Sequence, residues 1–263
     1  MFIDKKICFI EMEKTACTFL REELKKDFPN GHLTIKHDRP DKSIENSNRL
    51  FIGSIRNPYE WYVSTWSFGC KVLNNDPVYS ELTSRRFNIF KKNKNLGIKN
   101  KFIKFIKQFS KDVNNWKKLY SDPYDTKLFQ EWLFMILDGK KKYDLLGLYG
   151  YSPMSPFIGY MSFVYIWTFM KPSNSQDIMS IKFNNFEEIE KFNVENNLIN
   201  FFIKVENIND DYNKLLKKLN EKTKIISKDR INVSTKLNYD DYHNANTKEL
   251  INLKDKIIFK QHY

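Results

Sequence analysis

Cysteine, glycine and proline are all scarce in this chain, and each scarcity excludes something. Three cysteines among 263 residues, Cys8, Cys17 and Cys70, stand at unrelated spacings. That leaves no disulfide framework and no paired spacing for a structural zinc, and it favours a reducing, cytoplasmic compartment. Eight glycines and eight prolines form no Gly-, Pro- or Ser-rich linker, so one domain over residues 1–263 is expected. Long apolar runs are few as well. Phe2 to Ile10 is broken by Asp4, Lys5 and Lys6, unlike a signal peptide. The charge-free stretch Leu145 to Met170 contains Gly147, Gly150, Pro153, Pro156 and Gly159, and its clean part falls short of the ~20 residues that cross a bilayer. No membrane span is expected. A buried strand or the wall of a binding cleft is the expectation for that stretch.

Positive charge, by contrast, is plentiful. Forty-four Lys and Arg against 32 Asp and Glu give a formal charge of +12. Such a balance suits nucleic acid, a polyanionic cofactor or an acidic polysaccharide equally. Here the basic residues are scattered and not gathered into one arm, so no nucleic-acid partner is expected. A hydrophobic share of 41% suffices for a sizeable core.

Periodicity orders the chain. The run Ile7-Cys8-Phe9-Ile10 reads as a central strand, and Thr18 to Phe28 follows with Leu20, Leu24 and Phe28 at helical spacing. Leu33 to Lys36 reads as a short strand ending at His37. Leu50 to Ile55 is again strand-like, and Pro58 opens a helix carrying Trp61, Val63 and Trp66. Further on, Phe102, Phe105, Ile106, Phe109, Val113 and Trp116 share one helical face with lysines opposite, which predicts a core-facing stripe. Phe129 to Leu137 predicts a buried helix, Asn200 to Val205 a strand, Asn209 to Leu219 a helix, and the chain ends with a loop over Ile231 to Tyr242 and a helix from about Thr247. Strands alternating with helices predict an α/β fold with a central, mainly parallel sheet flanked by helices.

In such a sheet, ligands bind beyond the carboxyl ends of the strands, where helix N-termini aim amides outward. Two elbows lie at such ends. The first, in FIEMEKTACTFLREEL from Phe9 to Leu24, has Lys14 to reach over a phosphate, the amides of Ala16, Cys17, Thr18 and Phe19, and the hydroxyls of Thr15 and Thr18. An ordinary strand-to-helix loop capped by Thr15 or Thr18 is the alternative, because both glycines of the Walker pattern are missing. The second elbow is Arg56-Asn57-Pro58, with Ser64 about two helical turns further on. Together they read as two anion sites on one sheet edge, spaced for a nucleotide with phosphates at two ends.

FIEMEKTACTFLREEL resembles the loop of sulfotransferases that use 3'-phosphoadenosine 5'-phosphosulfate (PAPS), particularly the carbohydrate type with its H-I-P-K-T-[GA]-G-T pattern. FIGSIRNPYEWYVSTW is similar to that family's segment around R-[ND]-P-[YWF]-[DE], FFIKVENINDDYNKLLKKL to its F-I-x-R-x-E-N-L stretch, and INVSTKLNYDDYHNANTKELI to its C-terminal loop and helix. The four segments occur in the family's order and span nearly the whole chain. The resemblance implies a P-loop-like three-layer fold with a helical and aromatic insertion at about 75–195. It also implies a metal-independent enzyme that moves the sulfuryl group from PAPS to a hydroxyl, leaving 3',5'-ADP.

Residue by residue, the resemblance implies that Lys14, Thr15 and Thr18 hold the 5'-phosphosulfate, where the helix amides of Ala16, Cys17, Thr18 and Phe19 would join them, and that Arg56 and Ser64 hold the 3'-phosphate. IKHDRP resembles the K-H-x-x-[AP] segment, which points to His37 as general base, with His32, Asp38 and Glu11 as rivals. An imidazole of ordinary pKa near 6.5 suits that role. Three residues depart from the family pattern: Glu11 for His, Glu13 for Pro and Cys17 for Gly. The acceptor class implied is a saccharide, and Tyr149, Tyr151, Phe157, Tyr160, Tyr165 and Trp167 either line its cleft or pack the core. Two other classes stay open: a nucleotide kinase or other phosphotransferase, and a basic nucleic-acid-binding module.

Overall fold

The computed structural model describes residues 1–73, 76–87, 98–145, 149–171, 178, 181–226 and 237–263. Within them lie five strands, β1 (Phe2–Ile3), β2 (Ile7–Ile10), β3 (His32–Leu33), β4 (Leu50–Ile55) and β5 (Phe201–Lys204). Twelve helices accompany them: α1 (Cys17–Asp27), α2 (Lys42–Glu45), α3 (Pro58–Val72), α4 (Pro77–Leu82), α5 (Ile98–Phe109), α6 (Val113–Lys118), α7 (Thr126–Leu137), α8 (Tyr160–Phe169), α9 (Phe186–Asn196), α10 (Ile208–Lys218), α11 (Ala245–Lys254) and α12 (Lys256–His262). The chain is thus α/β. It divides into two compact units, one of Met1–Asn57, Val164–Ile178 and Glu190–Val233, the other of Pro58–Phe163, Met179–Ile189 and Ser234–Tyr263.

The first unit holds the sheet, in the order β3-β1-β2-β4-β5. β2 pairs parallel with β4 and β4 with β5, whereas β1 runs antiparallel to both β2 and β3. The sheet is therefore mixed, where a mainly parallel one was expected. The cause is local. The Asp4 amide donates to the Ile7 carbonyl at 2.9 Å and the Lys6 amide to the Asp4 carboxylate at 3.0 Å, a turn that folds Phe2 and Ile3 back onto Phe9 and Cys8. Ile7, Phe9, Ile52 and Ile203 bury one sheet face against Leu20 and Leu24 of α1 and Leu215 and Leu216 of α10. On the other face Gly53 leaves room for two rings: a Cβ there would stand 3.0 Å from the Phe202 ring and 3.1 Å from that of Phe169, which would have to give by a few tenths of an ångström.

The second unit is helical, with an aromatic core. Trp61, Trp66, Trp116 and Trp132 are all buried. Three of their indoles donate inside the unit: Trp66 to the Leu119 carbonyl at 2.7 Å, Trp116 to Asp144 at 2.9 Å and Trp132 to the Tyr120 hydroxyl at 2.7 Å. Buried indoles need such partners. The Leu145 to Met170 stretch, expected as a strand or cleft wall, contains a 3-10 turn at Tyr149–Tyr151 and helix α8; residues 146–148 lie outside the described ones. An all-round apolar run has no period that separates strand from buried helix. Among the described residues no helix is long and apolar enough to cross a membrane.

The aromatic stripe of α5 and α6 corrects the sequence reading. Trp116 is core, yet Phe102, Ile106 and Phe109 are exposed, and the buried side of α5 carries Lys104 and Gln108. Lys104 lies over the Tyr151 ring at 4.5 Å, and Gln108 accepts from the Arg86 amide at 3.0 Å. Periodicity identifies residues that share a face but not the face that is covered.

Burial pulls Lys104 and the equally buried Lys111 down to about 8. Between that value and the unfolded 10.5 the unfolded chain binds more protons, so stability rises with pH from 8 upward. A gain of about 2–3 kcal/mol per lysine is expected across that window. Urea melts at pH 7.5 and 9.5 check it. Lys104→Met is expected to raise the midpoint at the lower pH and to flatten the rise.

Candidate active site

The first elbow leaves β2 at Ile10 and enters α1 at Cys17. Lys14 has φ 60° and Ala16 φ 58°. Both adopt the left-handed conformation that glycine normally supplies, at a cost of about 1 kcal/mol or more each. The elbow therefore turns through two left-handed residues, neither of them glycine and neither at a position where the Walker pattern has one. Ala16 is the N-cap of α1 and offers no capping side chain, so no N-cap oxygen competes for the amides of the first turn. Cys17 is outside the left-handed region, and burial pushes its thiol up.

Two hydrogen bonds tie this elbow to β4. The Thr15 hydroxyl is buried, donates to the Met12 carbonyl at 2.7 Å and lies 2.7 Å from the Ser54 hydroxyl. It braces the loop from within; the sequence leaves it either on an anion or as a helix cap, and the N-cap position is Ala16. The Arg56 guanidinium donates to the Lys14 carbonyl at 3.1 Å. The two elbows, on neighbouring parallel strands, are therefore in direct contact. The Asn57 amide donates in turn to the Glu206 carboxylate just past β5. Three of the four segments that carry the resemblance meet at the carboxyl ends of β2, β4 and β5. Ser64 sits on α3 in the helical unit. In the fourth segment, residues 231–236 lie outside the described ones.

His37 joins the first elbow. Its Nδ1 is 3.2 Å from the Glu11 carbonyl, and ligand atoms of Glu11, Cys17 and His37 lie within 4.8 Å of one another. Burial lowers the His37 pKa, with Glu13 and Glu11 pulling the other way. A neutral ring that donates Nδ1–H to that carbonyl keeps its lone pair on Nε2, as a base requires. The rivals are placed differently. His32 is exposed on β3, the exposed Asp38 accepts from the Arg39 amide at 2.9 Å, and Glu11 is fully buried. The Glu11 carboxylate pairs with Arg21 at 3.2 Å and with the Met1 amino group at 3.0 Å.

Two contributors escaped the sequence reading. Lys36 reaches across to donate to the Thr18 hydroxyl at 2.7 Å, which brings a second cation to the elbow and engages that hydroxyl. Ser54 was visible only as a polar residue in the apolar run LFIGSI. Phe19 is partly buried and packs against the sheet core. Of the aromatic candidates for an acceptor cleft, Tyr149 and Tyr165 are buried core residues of their respective units, and Trp167 lies under the Arg39 guanidinium at 5.5 Å. Tyr151, Phe157 and Tyr160 are half-buried. No protein-family model, no curated protein and no solved structure matches this chain.

Proposed function

We propose that the chain is a sulfotransferase that binds PAPS at the two elbows and moves its sulfuryl group to a hydroxyl of a carbohydrate acceptor. The observation that carries the reading is the contact between the elbows: Arg56 donates to the carbonyl of Lys14, in a turn where Lys14 and Ala16 both adopt the left-handed conformation that glycine usually supplies. Strained backbone at a strand's carboxyl end is maintained where it serves a site. The P-loop-like layering belongs to the same reading, as does Ser64, which enters through the resemblance alone.

In the proposed reaction the acceptor oxygen attacks sulfur as its proton passes to Nε2 of His37. The bond from sulfur to the bridging phosphate oxygen breaks, and 3',5'-ADP leaves. Lys14 balances the charge that builds on that oxygen, and the α1 amides fix the phosphate. Arg56 supplies a planar fork for the 3'-phosphate. Lys36 adds positive charge beside Thr18.

Calorimetric titration with 3',5'-ADP, 5'-AMP and ATP tests the reading. The bisphosphate is expected to bind at least about tenfold more tightly than 5'-AMP, since one charge-assisted phosphate contact contributes that much or more. Equal affinity for the three nucleotides would sink it. A magnesium-dependent preference for ATP would favour the kinase class instead.

A further inference from the structure

Helix α5 is mounted inside out. Its polar residues Lys104 and Gln108 are fully buried, whereas Ile98 is 81% exposed, Phe102 56%, Ile106 50% and Phe109 62%. At about 100° per residue these four fall within one quadrant of the helix. Phe87 extends the patch: its ring lies 5.2 Å from that of Phe109 and 5.7 Å from that of Phe105, and those two rings are 5.4 Å apart. The aromatic side chains therefore brace one another and form a firm ridge.

The charges that α5 itself carries are of one sign. Lys99, Lys101 and Lys107 lie outside its buried side and Lys104 on it, and no Asp or Glu belongs to the helix. On the helical wheel Lys101 flanks the apolar quadrant on one side, Lys99 borders it on the other and Lys107 lies further round. Long lysine stems at the edge of an apolar face place their ammonium groups at headgroup level when that face enters a bilayer surface. At 12 residues the helix is too short to span a bilayer, so it would lie in the plane of the surface.

We propose that α5, with Phe87, docks on the surface of an anionic lipid bilayer, the apolar ridge entering the acyl boundary and the flanking lysines meeting acidic headgroups. Charge complementarity selects this occupant: an apolar ridge alone would accept many partners, but a ridge whose own helix carries only cations, with Arg85 and Arg86 next to Phe87 and Asp112 as the acidic residue beyond its Phe109 end, favours a dense anionic plane. The proposal stands apart from the sulfotransferase reading and uses none of its residues.

Vesicle flotation of the full chain tests it, with phosphatidylcholine vesicles beside vesicles that also contain phosphatidylserine, each at low and at high salt. The protein is expected to float with the anionic vesicles at low salt, at least about tenfold more than with the neutral ones, and to lose much of this binding at high salt. Phe102→Glu with Ile106→Glu should reduce anionic binding at least about tenfold, as should Lys99→Glu with Lys101→Glu, with unchanged circular dichroism. Because all four side chains lie on or beside the outward ridge, one pair at least should fold normally. Three results would overturn the proposal: no flotation with anionic vesicles, equal flotation with neutral ones, or wild-type binding by both folded variants. A dimer in light scattering that dissolves on Phe102→Glu, without vesicle binding, would assign the ridge to a second copy of the chain instead.

Discussion

Under the proposed sulfotransferase function, Lys14→Ala is expected to lower sulfuryl transfer by at least about 100-fold, because a single cation that meets a charge appearing in the transition state contributes on that scale. Loss of the fold would give the same loss of turnover, so the backbone at this position supplies a second arm. Lys14 has φ 60°, a conformation that alanine tolerates as poorly as lysine and glycine adopts freely. Lys14→Gly should therefore be more stable than Lys14→Ala, by about 1 kcal/mol, and just as inactive. Turnover with PAPS and urea midpoints of both variants check this. Activity that returned in the glycine variant would assign Lys14 a purely conformational role. Arg56 is the natural companion, since its guanidinium holds the Lys14 carbonyl.

Trp132→Ala carries the largest expected loss of stability, about 3–5 kcal/mol. The side chain is fully buried, its ring stacks on Phe129 with centroids 6.1 Å apart, and Tyr62 and Tyr120 meet it edge-on. Truncation would open a cavity among those rings and leave the Tyr120 hydroxyl without its indole donor. Trp132→Phe keeps much of the volume and should cost roughly half as much. Urea midpoints for the two variants give the comparison. A loss below about 1 kcal/mol for alanine would mean that the surrounding rings close the space.

Much of the first unit was legible because its signals are local. An apolar run of four followed by helical spacing gave β2 and α1, and Pro58 marked the start of α3. What escaped has identifiable causes. β1 is two residues long, too short for any period, and its hairpin turned the expected mainly parallel sheet into a mixed one. The left-handed residues of the elbow were hidden because nothing in Lys14 or Ala16 advertises that conformation, as a glycine would. The bond between Thr15 and Ser54 spans 39 positions, and no local pattern encodes it. Lys36 was written beside His37 in IKHDRP, but its reach to Thr18 depends on where β3 leaves the chain. In α5 the period was right and the buried side was wrong.

The distribution of tryptophan has an optical consequence. Four of the five indoles, Trp61, Trp66, Trp116 and Trp132, lie in the helical unit and are at most 1% exposed, and Trp167 alone serves the sheet unit. Intrinsic emission is thus dominated by sheltered chromophores of one unit. A spectral shift to the red reports water reaching that aromatic interior, whereas the sheet unit contributes to the signal only through Trp167, beneath the charge of Arg39.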